Sequence, residues 1–166
     1  SLRVPFIVRW PGKVPAGKFS NEIVHQIDLF TTLAKIVGAE TPKDRIIDGV
    51  DQSDFFFGKT EKSSRDSVIV YVGEEIFGVK WRNWKLLTKG LDDSKGTGIV
   101  VNYGVPRFYN LVTDPKEAYP ITSKTGEHLW LRWPVAKVMG EHLKSFQQEP
   151  PIKPGTPDPY TPSKGK

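Results

Sequence analysis

The residues able to do chemistry in this 166-residue chain are few and scattered. There are three histidines, His25, His128 and His142. No two have the H-x-x-x-H spacing that sets a pair of imidazoles on one helical face, which argues against a helical metal site. His25 and Asp28 stand one helical turn apart beside an expected helix start. There, capping and local hydrogen bonding compete with a base-orienting role. His142 falls on the apolar stripe of an expected helix and reads as a packed or hydrogen-bonded side chain. Asp44, Asp48, Asp51 and Asp54 form an acidic run. Its spacing departs from that of a calcium-binding EF-hand loop, and turn and cap roles suit it better. Gly96-Thr97-Gly98 lacks the downstream Gly-Lys-Ser/Thr of a phosphate loop. Lys80-Trp81-Arg82-Asn83-Trp84-Lys85 interleaves cations with indoles. Such a run can stack bases and hold phosphates, and it equally fits a hairpin with one aromatic and one solvated face. No Ser, His and Asp set assembles into a nucleophilic triad. The chain has no cysteine. That excludes a disulfide scaffold, a thiolate zinc site, an iron–sulfur cluster and a cysteine nucleophile within these residues.

The elements that would position these groups give an α+β unit. Val4 to Trp10 is β-rich and apolar on both faces, so an interior strand is expected, ended by Pro11-Gly12. Asn21 to Gly38 contains the clearest helical pattern, with Asp28 as a cap at its start and Gly38 at the left-handed C-terminal position. A short bulky segment covers Asp51 to Phe57. Ser67 to Val72 is an expected strand. Ile76 to Trp81 and Trp84 to Thr88 form an expected hairpin with Arg82-Asn83 as the turn. Ile99 to Tyr103 and Arg107 to Leu111 add a fourth and fifth strand. Pro134 to Gln148 is the last helix, with Pro134 at its first position and Val135, Val138, Met139, His142 and Phe146 along one stripe. Residues 150–166 hold six prolines and no apolar periodicity, so an extended polyproline-like arm is expected.

Composition supports a packed core. Hydrophobic residues are 37% and charged residues 26%, which excludes wholesale disorder. No apolar run reaches the roughly 20 residues of a membrane-spanning helix. The chain opens on Ser1-Leu2-Arg3 and passes at once into apolar residues, as if cut from the middle of a folded chain. The net charge is +5 and unevenly placed. Residues 1–75 hold 10 basic and 11 acidic groups, and residues 76–166 hold 14 and 8. A basic half can mark an anionic partner or an ordinary solvated face, and no run of consecutive cations favours the former.

Five pieces in order carry a family resemblance: Arg3 to Gly17 (R-V-P-F-I-V-R-W-P-G-K-V-P-A-G), Ile27 to Gly38 (I-D-L-F-T-T-L-A-K-I-V-G), Ile47 to Asp51 (I-D-G-V-D), Trp84-Lys85-Leu86, and Phe108 to Pro115 (F-Y-N-L-V-T-D-P). Together they resemble the C-terminal portion of type I, formylglycine-dependent sulfatases of the arylsulfatase kind, in the alkaline phosphatase superfamily. Thr31 stands where the family often has proline.

The resemblance implies residues 1–66 as the end of the large α/β sulfatase domain. It implies 67–148 as a small C-terminal antiparallel sheet with a packed helix, and leaves 149–166 as a proline-rich tail. In the family the C-x-P-S-R motif that yields formylglycine, the acidic Ca²⁺ ligands and the sulfate-binding lysines and histidines all precede the R-V-P motif. Catalytic and metal residues expected in this segment are therefore none. Ca²⁺ and formylglycine are implied only for an intact parent, where the formylglycine hydrate would attack sulfur. The implied partner is the remainder of the sulfatase domain N-terminal to Ser1, and the implied substrate is a small-molecule or glycan sulfate ester. The smaller domain often helps wall the substrate pocket in this family, which makes Trp81, Arg82 and Arg107 the expected substrate-contacting groups. A phosphonate or phosphate ester hydrolase shares the architecture. Relatives are commonly periplasmic or secreted. The other function class consistent with the charge is a stand-alone basic module holding a sulfated glycan or nucleic acid.

Overall fold

An antiparallel meander with a helix across one face organises the second half of the chain. A computed structural model describes residues 3–44, 46–92, 98–121, 126, 128–150, 152 and 155–157. Strands β1 (Ser67–Val72), β2 (Glu75–Trp81), β3 (Trp84–Asp92) and β4 (Ile99–Asn110) form one sheet in the order β1-β2-β3-β4. All neighbours are antiparallel. Arg82-Asn83 is the two-residue turn between β2 and β3, with Trp81 opposite Trp84. The expected fourth and fifth strands are a single strand, β4. Leu87 pairs with Arg107 and Lys89 with Asn102, so residues 103–106 bulge out opposite Thr88. That bulge is the break that the sequence pattern divides into two strands. Beside it, the Tyr103 hydroxyl occupies the place a Cβ on residue 90 would take, so Gly90 lets that ring lie close.

Register fixes which side chains share a face. Ile69, Val79, Leu86 and Phe108 lie in one cross-strand row. Helix α3 (Arg132–Gln148), entered through a 3₁₀ turn at Leu129–Leu131, packs on that row through Leu131 and Val135. Val79 and Leu131 are fully buried. Val138 and Met139 extend the contact, as the stripe requires. The helix begins two residues before Pro134. Proline is tolerated there because the first-turn N–H groups have no partner within the helix.

The first part of the chain is held by a polar knot. Helix α1 (Asp28–Ile36) is shorter than its pattern. Its expected cap is instead its first residue, and the Asp28 side chain is wholly buried. The backbone N–H groups of His25 and Val50 donate to the Asp28 carboxylate at 2.9 and 3.0 Å. The Arg65 guanidinium closes on both of its oxygens, with Nη2 at 2.6 Å from Oδ1. Gln52 Nε2 donates to Oδ2 at 3.3 Å, and Gln52 Oε1 accepts from the Ser64 N–H at 2.9 Å. Gly38 follows the helix at φ +74°, the left-handed ending its position predicts. A short helix α2 (Ser53–Phe56) lies beside α1.

The expected interior strand at Val4–Trp10 carries no ladder with any described residue. Its β-rich composition supplies propensity, and a strand also needs a neighbour to pair with. Phe6 packs at 5.8 Å from Phe56, and Trp10 edge-on at 6.0 Å from Phe57. Val4 and Ile7 remain more than four-fifths exposed. Of the proline-rich tail only residues 149, 150, 152 and 155–157 are described, and Gly96 and Thr97 lie outside the described residues.

Candidate functional site

The β2–β3 turn brings aromatic and cationic groups together at one end of the sheet. Trp81 and Trp84 face each other across the hairpin on the side covered by α3. The Trp130 indole stands edge-on to both, at 6.3 Å from Trp81 and 5.9 Å from Trp84. His128 lies 5.6 Å from Trp84. Arg82 has φ +48°, a conformation that favours glycine. Its N–H donates to the Asp66 carbonyl at 2.7 Å, and its own carbonyl accepts from Lys80 Nζ at 3.1 Å. These two bonds hold the turn, and the guanidinium lies over the Trp81 ring at 4.7 Å. Beside Trp81, a cleft of about 270 Å³ runs between the start of β1 and α3. It is lined by Asp66, Ser67, Trp81, Pro134, Lys137, Val138 and Glu141.

Arg107 is elsewhere. Its partner Leu87 neighbours Leu86, so Arg107 occupies the opposite sheet face from Phe108. Its guanidinium sits 3.9 Å over Tyr103 and bonds the Tyr109 hydroxyl. Burial pushes that phenol up from its ordinary value, against the lowering effect of Arg107. Trp81 and Arg82 are therefore brought together, and Arg107 is separated from them by the thickness of the sheet.

The face that holds Arg107 carries a group that the sequence pattern does not reveal. Lys80 and Lys85 stand opposite each other, and Lys85 stands opposite Tyr109. Buried Lys85 is paired with Glu117 at 2.6 Å. Burial, reinforced by the charge of Arg3 and opposed by Glu22, pushes Lys80 down to about 8. Their places either side of a two-residue turn were the only available signal. Glu117 lies far along the chain and gave none.

The histidines serve separate local roles. The His25 N–H bonds Asp28, and its Nδ1 accepts from the Ile27 N–H at 3.3 Å. His142 Nε2 bonds the Tyr71 hydroxyl, and its ring packs on Phe146. In the acidic run, Asp51 is paired with Lys35 at 2.8 Å and Asp54 with Lys59 at 2.9 Å. Asp51 also accepts from the Ser53 N–H and hydroxyl. No group of three potential metal ligands converges among the described residues. The resemblance implies Ca²⁺ only for the rest of an intact enzyme, and the described residues offer no converging donor set for it.

Comparison with known proteins decides the family. The C-terminal family of N-sulphoglucosamine sulphohydrolase matches residues 1–131. This chain belongs to that family. It is the C-terminal portion of a sulfatase. The sulfatase segment is 30% identical over 144 residues to the steryl-sulfatase of Rattus norvegicus, covering 75% of this chain and 25% of that protein. It is 28% identical over 164 residues to the N-acetylgalactosamine-6-sulfatase of Canis lupus familiaris, covering 87% of this chain and 31% of that protein. Its fold matches the PsFucS1 sulfatase from Pseudoalteromonas sp. with a TM-score of 0.74, at 24% identity, over 87% of this chain and 30% of that one. The sulfatase segment thus spans between a quarter and a third of the length of these relatives.

Proposed function

We propose that this segment is the structural back end of a sulfuric ester hydrolase of the arylsulfatase kind, and that it does not turn over substrate alone. The observation that carries this reading is the family match over residues 1–131, in a chain covering about a quarter of its relatives. Residues 1–66 would complete the large α/β domain, and residues 67–148 would form the smaller one. Ca²⁺ and formylglycine would be held by the remainder of the domain, N-terminal to Ser1. That remainder would cover the apolar surface left open here. Phe30, Leu33 and Val37 line one side of α1 and its end and are each more than half exposed, as are Val4 and Ile7. Such a surface marks a packing interface. Trp81 with Arg82, and Arg107 on the other face, are the residues proposed to reach substrate. The intact enzyme would act on a small-molecule or glycan sulfate ester, outside the cytoplasm. No helix among the described residues is long and apolar enough to cross a membrane.

The test is to read the coding sequence upstream of Ser1. An open frame carrying C-x-P-S-R or S-x-P-S-R with paired acidic residues is the expected result. A frame that begins at Ser1 would overturn the reading and favour the stand-alone basic module. A phosphonate- or phosphate-ester specificity would be separated by assaying the matching esters.

A further inference from the structure

We infer that the outward face of helix α3 seats on an anionic lipid surface, with Trp133 and Leu143 dipped into the interface and Arg132, Lys137 and Lys144 against the headgroups. Lipid contact on this face needs nothing from the sulfatase reading.

Helix α3 carries two apolar stripes where a helix on the surface of a domain needs one. Leu131, Val135, Val138 and Met139 face the sheet and complete the core. Trp133, Ala136, Gly140 and Leu143 recur at spacings of three and four, so they form a second line roughly a third of a turn round the helix. Trp133 is 81% exposed and Leu143 48%. Among the described residues nothing covers this line. Ala136 is exposed, and beyond the helix's own backbone no atom lies within 4 Å of the place a Cβ on Gly140 would take.

Charge sets what suits this face. Helix α3 has three cations, Arg132, Lys137 and Lys144, and one acid, Glu141. The helical period puts Arg132 on one flank of the line and both lysines on the other, and all three are exposed. Glu141 lies farther round. It and Lys137 approach only to 3.9 Å with both side chains largely exposed, a contact too weak to hold the lysine. The basic surplus of residues 76–166 thus has a face on which to act.

Indole and leucine between flanking cations suit the surface of a bilayer. The indole is apolar in body and polar at its N–H, and it settles at headgroup depth. Lysine and arginine stems lie along the apolar layer while their heads reach anionic groups. A soluble polyanion would use the cations and leave Leu143 in water, so it fits less well. A second helix would use the apolar line, but another copy of α3 would set these cations against one another.

The test uses the full natural chain that carries this segment. It is sedimented with vesicles of phosphatidylcholine alone and of phosphatidylcholine mixed with phosphatidylglycerol, at low and at high salt. Trp133→Ala and the pair Lys137→Gln with Lys144→Gln are compared with the pair Lys43→Gln and Lys116→Gln, an equal charge change at exposed residues away from α3. All these side chains are exposed, so melting temperatures are expected to stay close to that of the parent. The expected result is binding to the mixed vesicles that falls with salt, weakened about tenfold by Trp133→Ala and about tenfold by the α3 lysine pair. The control pair should bind as the parent does. No binding, equal binding across all variants, an equal loss from the control pair, or binding that Trp133→Ala leaves unchanged would overturn the inference. Particle mass, read by light scattering without lipid, should be the same for the parent and Trp133→Ala. A parent that is larger, and that Trp133→Ala returns to single chains, would give the face to a second copy and overturn the lipid assignment.

Discussion

Asp28 ties together parts of the chain that no local rule would join. Its carboxylate gathers N–H groups from residues 25, 50 and 52 and the guanidinium of Arg65. Burial alone would raise this carboxyl, but the bonds from Arg65, Val50 and His25 and the Arg65 charge hold it below its ordinary value. A lowered carboxyl contributes stability above its unfolded value of 3.8, and that stability is lost as pH falls through the folded one. Asp28→Ala leaves Arg65 buried without its charge partner and should cost about 3–5 kcal/mol in denaturant unfolding. The gap between parent and variant should begin to narrow as pH falls past 3.8 and narrow further through the lower, folded value. Lys80 works in the opposite sense. Its ammonium is poorly hydrated and near Arg3, so the folded state carries a cost while the group is charged. Between about 8 and 10.5 the folded lysine is neutral and the unfolded one is still protonated, so raising pH recovers stability. Lys80→Met removes that cost together with the bond to the Arg82 carbonyl, so its stability relative to the parent should be greatest near neutral pH and fall across that window. A constant difference from neutral pH to above 10.5 would contradict the assignment.

At the scale of elements, α3 and the sheet form one unit through Leu131, Val135, Val79, Leu86 and Phe108. Leu131→Ala opens a cavity where the helix enters and should cost about 2–5 kcal/mol, read from thermal or denaturant unfolding. The same unit shows what the sequence makes legible. The β2–β3 hairpin is readable, because Arg82-Asn83 interrupts two β-rich runs at the shortest spacing a hairpin allows. The α3 stripe is readable from its helical period. Strand β4 is misdivided because residues 103–106 are a bulge, and a bulge depends on the neighbouring strand. The same dependence hid the separation of Arg107 from Trp81 and Arg82. A residue's face follows from pairing register, and register is set by the fold. Likewise, Asp28 has the composition of a helix cap, but its partner Arg65 lies 37 positions on. Local spacing cannot show such a contact.

Over the whole molecule, a packed core lies under α3, and residues 4–37 hold a run of exposed apolar side chains, among them Val4, Ile7, Phe19, Phe30, Leu33 and Val37. Phe19 is 89% exposed and Val37 75%, exposures that cost free energy for side chains of this kind. The isolated 166-residue segment should bind a hydrophobic dye and self-associate, and the full natural chain should do neither. Light scattering and dye fluorescence would read the difference. The central claim is that this segment supports sulfate-ester chemistry whose reactive groups lie in the rest of the enzyme. Its most direct test is hydrolysis of an aryl sulfate by the segment alone and by the full natural chain, matured in the same host and supplied with Ca²⁺. The account predicts turnover by the full chain and none by the segment. Turnover by the segment alone, or its absence from both, would contradict it.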